Sequence, residues 1–257
     1  LSLYESKSGE RGIFSRASAQ KKAAENGRRE SHWDFGTNPC SEIILRPNQF
    51  CNLTEIVVRA GDTVTSLTRK IKVATLLGTI QSTFTNFGYL RKVWQDNTEE
   101  ERLLGVSLTG IMDSELLNGK ETGLAKTLEK LKKVAVDCNK EYAEKFNINQ
   151  STAITCVKPS GTVSQLVDSA SGIHARHNPY YIRTVRGDKK DPLTEFLKAS
   201  GIPSEDDKMK PDHTTVFSFP MMAPKGSVCR TDMTAIQQLE MWKIYAKHWC
   251  EHKPSVT

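Results

Sequence analysis

No apolar run in the 257-residue sequence approaches the roughly eighteen residues that a membrane-spanning helix needs, and no cleavable leader opens it, the first residues being Leu-Ser-Leu-Tyr-Glu-Ser-Lys. Membrane insertion and secretion are therefore unsupported. Six cysteines are too sparse for a secreted disulfide scaffold, so the expected compartment is the reducing cytoplasm, where a disulfide is usually catalytic. Apolar residues make up only 37%, and the mean hydropathy of -0.48 is lean for an autonomous domain. No internal repeat, low-complexity linker or domain boundary interrupts the chain, which reads as one partial domain over 1–257. The formal charge of +6 favours polyanionic partners, nucleic acid and nucleoside triphosphates alike. Lys and Arg are interleaved with acids, as in Lys189-Lys190-Asp191, which describes a solvated surface better than a nucleic-acid footprint.

What is present alternates between helix and strand. A basic, Ala-rich stretch at 15–25 predicts a short helix after a Gly-Glu-Arg-Gly opening at 9–12. Strands are expected at 50–58, 103–108, 152–157, 180–185 and 214–219 from their β-branched and apolar content. Helices are expected after an Asp62 N-cap with Val64, Leu67, Ile71 and Ala74 inward, at 122–146 with Leu124, Leu128, Leu131, Ala135, Cys138 and Tyr142 inward, at 192–199, and at 231–252 with Ala235, Leu239, Trp242, Ala246 and Trp249 on one face. The last four residues read as a strand cut short. Such alternation predicts an α/β architecture with largely parallel strands.

The densest chemistry lies in Thr37-Asn38-Pro39-Cys40-Ser41-Glu42-Ile43, followed by Cys51. In an extended segment the amide of Asn38, the thiol of Cys40 and the carboxylate of Glu42 point to one side, and Pro39 stiffens the approach. The alternative is an ordinary turn carrying a buried cysteine, since free Cys is among the most buried residue types.

The pattern Asn38-Pro39-Cys40-x-Glu42-Ile43 with Cys51 eleven residues after Cys40 resembles the active-site loop of ribonucleotide reductases, specifically the monomeric adenosylcobalamin-dependent (class II) type. Three further stretches agree in order: 101–110 (Glu-Arg-Leu-Leu-Gly-Val-Ser-Leu-Thr-Gly), 158–166 (Lys-Pro-Ser-Gly-Thr-Val-Ser-Gln-Leu) and Ser171-Gly172-Ile173-His174. The resemblance covers nearly the whole chain, yet the family's catalytic subunit is far longer, so a fragment is expected. It implies part of a ten-stranded α/β barrel with the cysteine loop inside. It also implies roles: Cys40 as the thiyl radical that removes the ribose 3'-hydrogen, Glu42 as general base for the 3'-hydroxyl, Asn38 orienting the hydroxyls, and Cys51 as one of two reducing thiols. Adenosylcobalamin, a ribonucleoside triphosphate and a dithiol reductant such as thioredoxin are the implied cofactor, substrate and partner. The second reducing cysteine and the tail thiols belong to regions outside these residues. An iron-dependent reductase large subunit is the near rival, and a non-catalytic nucleotide- or nucleic-acid-binding fragment is the rival of another class.

Ser160, Gly161, Thr162 and Ser164 stand between a strand and a helix start, where amides and hydroxyls can hold an anion. A plain helix cap is the ordinary alternative, and no Lys follows the turn, which excludes a Walker A loop. The resemblance gives these four the substrate's phosphates. His248, Cys250 and His252 invite a metal, but no fourth ligand stands nearby and a solvated helix end is expected. Cys138, Cys156, Cys229 and Cys250 match neither redox role and are expected to be structural. Tyr180-Tyr181 is expected to pack within its strand.

Overall fold

A computed structural model describes residues 1–7 and 12–255. The Gly-Glu-Arg stretch before Gly12 and the last two residues of the expected closing strand lie outside the described residues. In chain order the elements are α1 (Ser2–Ser6), α2 (Arg16–Ala24), β1 (Gly36–Thr37), β2 (Ile44–Leu45), β3 (Asn52–Val57), α3 (Val64–Gln81), α4 (Lys92–Glu101), β4 (Leu104–Thr109), α5 (Leu124–Phe146), the single turn α6 (Val163–Leu166), β5 (Tyr180–Asp188), α7 (Pro192–Ala199), β6 (Ser204–Asp206), β7 (Thr214–Met222) and α8 (Ala235–His248).

Strands β3 and β4 lie parallel in register from Asn52 opposite Leu104 to Val57 opposite Thr109. The stretch 153–157 continues the layer beside β4 through one parallel bridge, Val106 to Thr155, and Pro254 bridges Val157 in the same sense. The strand expected at 152–157 is thus extended but only singly bridged. Successive side chains of a strand face opposite sides, and the two sides here differ in chemistry. Ile56, Val58, Leu104, Val106, Leu108, Ile154 and Val157 join Leu67 and Ile71 of α3, Leu128 and Leu131 of α5, and Tyr245 and Trp249 of the α8 end in one apolar core. The opposite side carries Leu53, Glu55, Gly105, Ser107 and Cys156. A Cβ on Gly105 would crowd the ends of the Leu53, Ile43 and Cys156 side chains, which close up here against bare backbone.

Several local expectations need correction. Thr63, not Asp62, caps α3, through a reciprocal pair with Ser66, and Asp62 instead accepts bonds from Arg59 N and Lys70 Nζ. Helix α4 has no apolar stripe to predict it, its buried residues being Thr98 and Glu101. Helix α8 ends at His248 and turns Met241 and Tyr245 inward, while Leu239 is exposed. Tyr245 wins the inward place because its hydroxyl donates to Leu117 O at 2.9 Å, satisfying the polar end of a wholly buried ring. The expectation of largely parallel strands fails after residue 180. There β5, β7 and β6 form an antiparallel sheet in that order.

His248 and His252 would share a face only if the helix ran on past both, and it ends at His248. His248 pairs with Glu129 at 2.7 Å, and His252 is buried elsewhere, accepting from Ile44 N on Nδ1 (3.3 Å) and donating from Nε2 to Leu104 O (3.0 Å). Those two partners fix a neutral tautomer. Burial, helped by the nearby positive charge of Arg29, lowers its pKa to about 3, against an ordinary value of 6.5. Between these values the unfolded chain binds a proton that the native state refuses. Stability is therefore fully present above about pH 6.5 and is lost as the pH falls toward 3. In denaturant titrations of the whole protein, wild type is expected to lose about 2 kcal/mol more than His252→Asn between pH 7 and pH 5. Equal losses in the two proteins would show that His252 does not carry this titration.

Candidate active site

The cysteine loop is a hairpin tip rather than an extended segment. Strands β1 and β2 pair antiparallel, Thr37 opposite Ile44, and between them Ser41 N donates to Asn38 O at 2.9 Å with Pro39 at the second turn position. Ser41 takes a left-handed φ of 62° to close the turn. The single-sided display of residues 38, 40 and 42 is therefore replaced by another arrangement. Asn38 and Glu42 meet across the turn, the Asn38 amide donating to Glu42 Oε1 at 2.7 Å, while Cys40 stands exposed at the tip. Asn38 Oδ1 accepts from Ile43 N at 3.0 Å, so the amide is held at both ends. The loop is fixed from the chain's far end as well, by Lys253 N to Glu42 O (3.1 Å) and Ser255 Oγ to Cys40 O (3.1 Å).

Glu42 is wholly buried. Its Oε1 takes a second bond, from Lys158 Nζ at 2.7 Å, whereas Oε2 is buried with no partner. A buried carboxylate oxygen without a donor is costly, and such groups persist where a ligand completes them. Burial opposes the charge of Lys158, but the bond to Glu42 and its negative charge outweigh it and hold the ammonium above its ordinary value.

Cys51, half-buried just before β3, lies close enough to feel Arg29, Glu42 and Lys158. Burial pushes its thiol well up, so at neutral pH it is a thiol and not a thiolate. Cys156 is fully buried beside it, and burial together with Cys51 and Cys250 raises its thiol too. All four cysteines expected to be structural, Cys138, Cys156, Cys229 and Cys250, are buried. Tyr180 is exposed rather than packed, and Tyr181 meets Arg176 Nη1 through its hydroxyl at 3.2 Å.

The turn at 160–164 follows the carboxyl end of the 153–157 stretch. Ser160 adopts a left-handed φ of 56°, with its hydroxyl buried beside the Glu55 carboxyl. Gly161 and Thr162 are exposed at the start of the α6 turn. Ser164 is committed inward, its hydroxyl bonded to Ser160 O and 2.7 Å from Ser171 Oγ. Behind the turn, buried Arg176 holds Asp113 through two bonds of 2.9 Å and Asp168 Oδ1 through one of 2.8 Å, while Asp113 Oδ2 accepts from Ala170 N. Burial works against the Arg176 charge, and these carboxylates overcome it.

Two side chains of the site had no role assigned from sequence. Lys158 stands directly before the Pro-Ser-Gly-Thr turn, and Glu55 lies on the inner side of β3 with Oε1 unpartnered. Burial raises the Glu55 carboxyl, against the opposing influence of Ser160 and Lys158. The only signals for either were position: Lys158 opens the 158–166 stretch, and Glu55 follows Cys51 by four residues.

No family model matches the chain. A crystal structure of a B-12 dependent (class II) ribonucleotide reductase superposes with a TM-score of 0.74 at 25% identity, covering 86% of this chain and 34% of that one. The fold is therefore of the ribonucleotide reductase type, an α/β layer of parallel strands. In sequence, the adenosylcobalamin-dependent ribonucleoside-triphosphate reductase of Lactobacillus gasseri is 32% identical over 213 residues, 73% of this chain, and that of Euglena gracilis is 29% identical over 229 residues. Over most of its own length the chain is thus similar to adenosylcobalamin-dependent ribonucleoside-triphosphate reductases. It spans about 28% of the length of the Lactobacillus relative and 30% of the Euglena one.

Proposed function

We propose that this chain is the part of the catalytic barrel of a ribonucleoside-triphosphate reductase that carries the radical cysteine, the base and one reducing thiol. The observation that carries the reading is Glu42: a buried carboxylate gripped by Asn38, with a free Oε2, beside the Cys51 thiol and two residues after Cys40. In this reading the Cys40 sulfur radical takes the ribose 3'-hydrogen. Glu42 Oε2 accepts the 3'-hydroxyl proton as the 2'-hydroxyl leaves as water. Cys51 and a second thiol supply two electrons and two protons and end as a disulfide, which a dithiol protein such as thioredoxin reduces. The exposed position of Cys40 suits a radical delivered from outside the segment, and the raised Cys51 pKa keeps that thiol protonated as a donor.

Adenosylcobalamin, when bound, is the source of the radical at Cys40. In this reading the chain's own contribution toward that radical is the exposed Cys40 thiol. The amides of Gly161 and Thr162, with the buried Ser160 hydroxyl, form the phosphate-binding turn, and Ser164 shapes it from within. The remaining part of the reductase completes the ten-stranded barrel around this layer. No described helix is long and apolar enough to cross a membrane, and the place of action is the cytoplasm, where deoxyribonucleotides are supplied for DNA synthesis.

The test is reduction of a ribonucleoside triphosphate by the complete protein with a dithiol. Turnover is expected with adenosylcobalamin and to be unaffected by a diiron subunit. Turnover with a diiron subunit alone would transfer the chain to the iron-dependent reductases.

A further inference from the structure

Lys158 has a place in the site that the roles above leave unused. Its ammonium donates to Glu42 Oε1 at 2.7 Å, and its main chain is gripped on both sides. Lys158 N donates to Ser107 Oγ on β4 at 2.8 Å. On the other side Gly172, at a φ of 50°, lies so near Lys158 O that a Cβ there would approach it to 2.3 Å. Two residues later comes Ser160, so one short stretch joins the phosphate turn to the carboxylate.

The oxygens of Glu42 are consequently unlike. Oε1 receives Asn38 Nδ2 and Lys158 Nζ, both at 2.7 Å, and Oε2 receives nothing. We propose that Lys158 is a positioning residue that divides the work of Glu42, fixing Oε1 and leaving Oε2 as the one atom that takes the substrate hydroxyl's proton. This rests on the reading of Glu42 as the base. Around this pair Lys253 faces Glu42, Glu55 faces Lys158, and the sulfurs of Cys40, Cys51 and Cys156 lie nearby. Lys253 uses its main chain to hold the Glu42 carbonyl, and among the described residues only Lys158 puts a charged donor on the carboxylate.

In the complete enzyme, Lys158→Gln and Lys158→Met are expected to lower kcat about tenfold or more while KM for the ribonucleoside triphosphate stays near wild type, and Lys158→Arg, which restores a charged donor, is expected to return most of the loss. A lysine that served only to brace the loop would show its loss in KM and in stability, and Lys158→Arg would not rescue kcat selectively. Glu42→Gln is expected to be inactive. Turnover by Glu42→Gln would overturn the base reading and this inference with it. An inactive Glu42→Gln combined with a near-wild-type kcat in the uncharged Lys158 variants would overturn the inference alone.

Discussion

Cys40→Ser is expected to abolish reduction by the complete enzyme while leaving binding of the ribonucleoside triphosphate close to wild type. Sulfur suits the task because its bond to hydrogen is weak enough to be broken and remade within one turnover, whereas the O–H bond of serine is too strong for a radical to form there at accessible energy. The substitution changes one atom at an exposed turn tip. The turn itself depends on Pro39, the left-handed Ser41 and main-chain bonds from Ser41, Lys253 and Ile43, none of which involves the Cys40 side chain. Glu42 keeps its grip on Asn38 and Lys158, so the substrate site is preserved. Turnover and equilibrium binding should be measured on the same preparation. Residual turnover within about a hundredfold of wild type would remove Cys40 from the radical role, since loss of an obligatory nucleophile or radical costs far more.

Much of this site was legible in the sequence because motifs record which residue types a reaction needs. The order Asn38, Cys40, Glu42 and Cys51 survived folding as one neighbourhood. Its geometry was not legible, because alternation assumes an extended chain, and the turn at Pro39 to Ser41 is set by hydrogen bonds to the far end of the chain, at Lys253 and Ser255. Helix α5 was read almost to the residue since its stripe is apolar and its face buried. Helix α8 was misread because Leu239 looks like core by type alone, while Tyr245 earns its burial through one carbonyl more than a hundred residues away. Helix α4 escaped altogether: its buried Glu101 matters through Arg29, which binds both its oxygens, and no periodicity reports such a contact. Lys158 escaped for the same reason, its partner lying 116 positions earlier in the chain. Contacts between distant polar residues are where a single sequence is mute.

The same layer predicts what this chain does alone. Strand β3 pairs with β4 on one edge only, and among the described residues no strand covers its other edge. Beside that edge, Val73, Leu77 and Ile80 of α3 repeat at helical spacing and are exposed, and with Ile56, Val57 and Arg69 several of them line an open groove of about 740 Å³. An uncovered parallel edge next to an apolar stripe is a surface that a further strand and helix would bury, and left bare it invites aggregation. The inner side is equally incomplete, since Cys51 has no partner thiol assigned to it and Glu55 Oε1 and Glu42 Oε2 both lack donors. Expressed by itself, the 257-residue chain is expected to aggregate or to fold only marginally and to show no reduction of a ribonucleoside triphosphate with adenosylcobalamin and a dithiol. Weak triphosphate affinity is expected to persist in whatever fraction folds, because the turn at Ser160 to Ser164 is braced within the chain by Arg176, Asp113 and Asp168. Adding the remainder of the reductase should restore solubility and turnover together, because the proposed reading has it supply both the missing edge strand and the second thiol. Multiple turnover by the isolated chain would show that its own residues complete the electron supply, and the proposed need for a second chain segment would fall.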